Sequence, residues 1–302
     1  MKLLMKISQD FHSAILPLKM RHFIASTLLL FCLVSCEKSS TVSQQPVTRN
    51  YSDLVSLFKD WRAFENPPRL NGAPDYTATT FEKRIPAFKS LQAKLLAMDT
   101  TGWSTAEQVD YHVVWAEMNG YDFNHKVLKP WVRDPAFYKS LWMARSDVPA
   151  HEGPTHHGTT EIWTYDFPLN AADRTKLLQE LKVIPVLNEQ AKGNLTGNAK
   201  DLWVTGIRDI SGQSANLKTI RAWEGIANDS GLVAAIDEAI TSTDNFVNWL
   251  QAEGKSKTGP SGIGKENYTW YLQNVHLVPL TWEDEVMILK RELARAWTAL
   301  KL

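Results

Sequence analysis

The stretch that begins at Thr281 sets the tightest limit on what this chain can fold into. Val286, Leu289, Leu293, Trp297 and Leu300 recur at steps of three and four, which draws one continuous apolar stripe along a helix. Thr281 is a good N-cap, and Glu283 and Asp284 suit the positive end of a helix dipole. No Gly, Asn or Pro follows as a stop signal before Leu302. A helix with one apolar face is stable only when that face is covered. The reading is of an element interrupted while its stripe still runs. The chain is then expected to meet either a missing C-terminal half or a second copy of itself through this face.

The remaining patterns are also helical. Leu54, Leu57, Phe58 and Trp61 mark a helix from Tyr51 to Phe64 that stops before Pro67. A second, with Phe88, Leu91, Leu95 and Met98, is placed near Pro86, because proline is tolerated in a first turn. Ser104 and Glu107 form a capping box ahead of Val109, Val113, Trp115 and Met118. Asn170 caps a long helix through Leu177, Leu178, Leu181, Ile184 and Leu187, with a kink expected at Pro185. Residues 214–252 hold one or two helices ending at Gly254. The proline-rich stretch from Lys129 to Phe167 is irregular, with a short strand expected over Glu161 to Phe167. The predicted class is all-α with at most one or two short strands, and residues 51–302 form one helical domain. The 12 tryptophans are spread along the chain and read as core anchors.

The first 50 residues read as an address and a tether. Met20-Arg21-His22 precede an apolar run from Phe23 to Val34, which is too short to span a bilayer and has the layout of a signal peptide. Leu33-Val34-Ser35-Cys36 then resembles the bacterial lipobox, in which the Cys is lipidated and the residues before it are removed. Residues 1–35 are therefore the signal, with Met20 as the expected start, and Cys36 is the lipidation site. Residues 36–50, rich in Ser, Thr and Gln, form a polar tether. The expected place is the cell envelope, outside the cytoplasm, with the membrane as partner through the lipid. Glu37 after the Cys favours the outer membrane by resemblance to enteric bacterial sorting. Cys32 and Cys36 are the only two cysteines, so the remainder carries no disulfide and no thiol chemistry. A formal net charge of zero gives no electrostatic footprint for nucleic acid.

Two segments imitate catalytic motifs. His151-Glu152-Gly153-Pro154-Thr155-His156 resembles a zinc-protease helix, but its histidines are five residues apart rather than four. They would point about 140° apart on a helix that Gly153 and Pro154 would break. It reads as a polar loop. Gly259-Pro260-Ser261-Gly262-Ile263-Gly264-Lys265 has phosphate-loop spacing, yet Glu266 stands where a magnesium-binding Ser or Thr is required, and no buried strand precedes it. The alternatives for this loop are a packed turn or a substrate-facing surface built from Gly262, Gly264 and Tyr268, where glycine permits close approach and the phenol can donate. No catalytic or metal-binding residue emerges, and no cofactor is expected in this chain.

The residues Gly259 to Leu272 and Asn274 to Glu283, with Ser146 to Pro154 and Asn194 to Trp203, resemble the bacterial domain of unknown function 885 family. The resemblance runs from about Tyr51 to the end. It implies a mainly helical exported protein related to zinc-dependent peptidases. Members are roughly twice this length and carry the zinc motif in their later half. The chain would then be the N-terminal half of such a fold, without the zinc-binding motif and inactive alone. The rival expectation is a non-catalytic envelope lipoprotein that binds a partner protein through the last helix.

Overall fold

The computed structural model describes residues 48–145 and 157–301. The signal segment, Cys36 and most of the tether lie outside the described residues, as does the loop carrying His151, Glu152 and His156. The described part is an all-α assembly with two minimal strand pairs.

Three helices form its first layer: α1 (Tyr51–Glu65), α2 (Ala78–Leu96) and α3 (Thr105–Phe123). Each starts on a side-chain cap, from Asn50, Thr77 and Ser104 respectively, and Ser104 with Glu107 makes the full capping box. They close on Leu54, Leu57, Trp61, Phe88, Leu95 and Met118. Trp61 is fully buried, and its indole N–H donates to Glu117 at 3.2 Å, which ties α1 to α3.

A tight hairpin joins α1 to α2. Its strands β1 (Arg69–Leu70) and β2 (Ala73–Pro74) pair antiparallel across Asn71-Gly72, and both turn residues have positive φ, as such a two-residue turn requires. After α3 the backbone loosens into a π-helical turn (Asn124–Leu128), a short helix α4 (Pro130–Arg133) and a 3-10 turn (Pro135–Tyr138). Strand β3 (Leu141–Trp142) pairs in parallel with β4 (Thr160–Glu161). The buried Gln213 accepts the N–H groups of Ser140 and Leu141 at 2.6 and 3.0 Å, which holds β3 in place.

The second layer packs α5 (Ala171–Asn194), α6 (Lys200–Arg221) and α8 (Ser230–Gly254) around Leu177, Leu181, Ile184, Leu217, Ile220 and Ile236, with the short α7 (Glu224–Ala227) between α6 and α8. Between the two layers lies a core of Tyr76, Trp131, Tyr138, Leu187, Trp203 and Phe246. Here α6 passes the 3-10 turn so closely that a Cβ on Gly206 would come within 2.7 Å of Pro135. The chain finishes with α9 (Lys265–Asn274) and α10 (Trp282–Leu300).

Several expectations need correction. Helix α2 starts at Ala78, not near Pro86: Thr77 supplies the cap, and Pro86 sits on the exposed face where water can serve the carbonyl it leaves unpaired. Met118 is buried as the stripe predicts, but Val109 and Val113 are exposed; packing against α1 and α9 turns Val114 and Phe123 inward in their place. The strand expected from Glu161 shortens to Thr160–Glu161 and gives way to a 3-10 turn at Ile162–Thr164. Trp61, Trp103, Trp131 and Trp203 are buried anchors, whereas Trp142, Trp270 and Trp297 are exposed.

Candidate functional site

The Gly259 loop works as a splint. Helix α6 has no cap of its own at Ala199. Ser261 provides one from 60 residues away, its hydroxyl accepting the N–H groups of Asp201 and Leu202 at 2.8 and 3.2 Å. Asn198 Oδ1 accepts from Thr258 and Gly259 at 2.7 and 2.8 Å, and Arg133 donates to the carbonyls of Pro260 and Ser261. A Cβ on Gly259 would come within 2.4 Å of the Asn198 carbonyl, so glycine is obligatory there.

Of the three residues proposed to face a substrate, Gly264 sits at φ +85 before α9, and Gly262 has open space where a side chain would be. Tyr268 donates its hydroxyl to Glu285 at 2.6 Å, and this carboxylate raises the phenol's pKa above its ordinary value. These three residues do not line the cavity beside the π-helical turn.

That cavity, of about 540 Å³, opens where α1, α2 and α3 meet the π-helical turn and the residues following α9. Three elements place its walls. The end of α3 brings Gly120 and Tyr121, and a Cβ on Gly120 would lie 3.2 Å from the Val275 side chain, a tight fit. The π turn brings Asn124 and His125; turns of this kind are frequent at functional sites. The hairpin and the start of α2 bring Tyr76, Phe81 and Arg84. Asn119 on α3 donates to the Asn274 carbonyl at 3.2 Å and fixes α9 against this wall.

His125 is held by aromatic rings: Tyr121 at 4.0 Å, Trp131 at 4.7 Å and Phe81 at 4.8 Å between centroids. Its Nδ1–H donates to the Tyr121 carbonyl at 2.7 Å. Nε2 is then the acceptor, and among the described residues it is buried without a hydrogen-bond partner, as is Asn124 Oδ1. Burial lowers the His125 pKa, and the Arg84 guanidinium adds to the effect. His157, whose backbone N–H donates to the Tyr76 hydroxyl at 2.7 Å, is lowered by the same two causes. Burial pushes the Tyr121 phenol up to about 12. Both imidazoles and the phenol are therefore neutral at physiological pH. On the outer wall Arg62 bonds to Glu65 and Glu117, each at 2.6 Å. Burial nevertheless raises the Glu65 pKa, outweighing the attraction of Arg62.

Sequence reasoning missed Arg84 and His125. Arg84 fell outside a helix placed too late, and a lone His carries no signal. The density of rings between Phe81 and Tyr138 was the available clue. Among the described residues no three His, Cys, Asp or Glu side chains gather as a metal site requires. The described residues therefore do not fit the zinc that the family resemblance attaches to full-length relatives.

Comparison with known proteins supplies one solved structure: a candidate lipoprotein of unknown function from Shewanella oneidensis. The match has a TM-score of 0.55 at 18% identity and covers 81% of this chain. The two proteins share a fold. This chain spans 46% of the other protein's length. No family model matches the chain, so the comparisons do not support the expected membership in the domain of unknown function 885 family. No curated protein matches either.

Proposed function

We propose that the chain is a lipid-anchored protein of the cell envelope, held outside the cytoplasm by a lipid on Cys36. The observation that carries this is Leu33-Val34-Ser35-Cys36 directly after an apolar run too short to span a membrane. The Shewanella protein of like fold, itself described as a candidate lipoprotein, supports the reading. Among the described residues no helix is long and apolar enough to cross a membrane. Cys36→Ala should abolish incorporation of radiolabelled fatty acid and move the protein out of the membrane fraction. Unchanged labelling and fractionation would refute the anchor.

The helical domain is proposed to correspond to the N-terminal half of a zinc-dependent peptidase-like architecture. Motif resemblance alone supports this; the match to the solved neighbour covers 46% of that protein's length, which is in keeping with a larger architecture. Without the zinc motif, the chain alone should hydrolyse no peptide and hold no stoichiometric zinc. Metal analysis of the purified protein with a peptidase assay tests both points.

A second reading has its own support. The outer face of α10 leaves Leu289, Leu293, Trp297 and Leu300 between 59 and 78% exposed, and the helix has no buried residue. A face of this kind is a docking surface for a partner protein. Leu293→Glu with Trp297→Glu should then abolish capture of that partner while leaving the helical circular dichroism unchanged.

A further inference from the structure

The apolar stripe of α10 is symmetric about its own centre. Val286 and Leu289 stand seven and four residues before Leu293, and Trp297 and Leu300 stand four and seven after it. Val286 is half-buried and the other four are exposed. A face shaped for a different protein has no need of such symmetry. A contact between two copies related by a two-fold axis does need it, because each position must meet its mirror position.

The charges of the helix obey the same rule. Glu283, Asp284 and Glu285 fill its first turn. From residue 290 onward Lys290, Arg291, Arg295 and Lys301 stand against Glu292 alone. Two such helices laid in the same direction would set acid on acid and base on base. Laid in opposite directions, they set each acidic end beside a basic one and oppose their dipoles. Glu283 and Lys301 are both exposed. They are five full turns apart at 3.6 residues per turn, so they share one flank of the stripe. An antiparallel two-fold keeps that flank on the same side in both copies and brings Glu283 of each toward Lys301 of the other.

We propose that α10 is the contact between two copies of this chain, laid antiparallel with Leu293 on the two-fold axis. Leu289 then lies beside the second copy's Trp297, Val286 beside its Leu300 and Glu283 beside its Lys301. The pairing depends on α10 being a docking face, as read above, and names what docks there. The 19 residues of α10 span about 28 Å. That places the contact at the small end of stable interfaces and makes the pair reversible.

Photocrosslinking of the full chain in the cells that make it tests this. The photoreactive residue p-benzoylphenylalanine in place of Trp297 should give a product of twice the chain mass, its linked peptide spanning Leu289. Leu293→Glu sets two carboxylates on the axis and should cut that product at least about tenfold. Charge reversal is a test that only a second copy can pass. Lys301→Glu alone and Glu283→Lys alone should each lower the yield at least about threefold, since each puts like charges together at both ends of the pair. Expressed together, the two variants should restore it, because the mixed pair has opposite charges at both ends. Circular dichroism confirms that every variant folds. A link from position 297 to position 297 overturns the antiparallel pair. Links to a different protein overturn the second copy and leave the docking face standing. No link at all from position 297 overturns both.

Discussion

At the scale of single residues, two aspartates pull stability in opposite directions with pH. Asp134 caps the 3-10 turn by accepting from Ala136 at 2.9 Å, yet burial first, and the Asp209 carboxylate besides, push its pKa up to about 6. Its folded value exceeds the unfolded one of about 3.9. Its contribution is therefore complete below that unfolded value and is lost as pH rises through about 6. Asp134→Asn keeps the acceptor and removes the charge. It should raise the melting temperature at pH 7.5 by a few degrees, roughly 1–2 kcal/mol, and change nothing at pH 4. Asp229 is the converse case. The Arg174 guanidinium, with the N–H groups of Leu232 and Gly231, holds it down at about 2. Its contribution is present above the unfolded value and fades as pH falls toward 2. Asp229→Ala should cost about 1 kcal/mol at neutral pH through the lost N-cap of α8, measured by urea denaturation.

At the scale of elements, much of the helix content could be read from local chemistry. Asn50, Ser104, Asn170 and Thr281 are caps whose signal lies within three residues of themselves. What escaped was set by distant partners. Helix α6 begins at Lys200 because Ser261 caps it from another part of the chain, and no local pattern near Ala199 announces that start. The inward face of α3 was chosen by α1 and α9, so Val109 and Val113 were assigned to the wrong side. The cavity was the least legible part. It gathers residues from position 62 to position 277, and its key cation, Arg84, lies in a helix that Pro86 disguised. The splint makes its own prediction. Ser261→Ala leaves two amide groups at the start of α6 without a cap and should cost roughly 0.5–2 kcal/mol. Hydrogen exchange should speed up at Asp201 and Leu202 while residues 210–220 stay protected. Unchanged exchange at those two amides would show that the cap is dispensable.

At the scale of the whole molecule, the two helical layers bury their own cores and α10 does not. Each large side chain left in water forgoes roughly 1.5–3 kcal/mol, and several on one face are comparable with a domain's margin of roughly 5–15 kcal/mol. Amide exchange in α10 of the isolated monomer should therefore be much faster than in α8. Supplying the remaining half of a protein of like fold should slow it and raise the melting temperature. Protection of residues 285–300 equal to that of residues 230–254 without any partner would show that α10 needs no cover. The joint beneath α10 gives this a mechanical meaning. Tyr268 and Thr269, midway along α9, hold α10 through Glu285 and the Trp282 amide. Just beyond the C-terminal end of α9, Val275 stands 3.2 Å from where a Cβ on Gly120 would be, in the cavity wall. Ten residues of α-helix make a stiff rod of about 15 Å. A partner seated on α10 would therefore rest on a helix whose far end also borders the cavity.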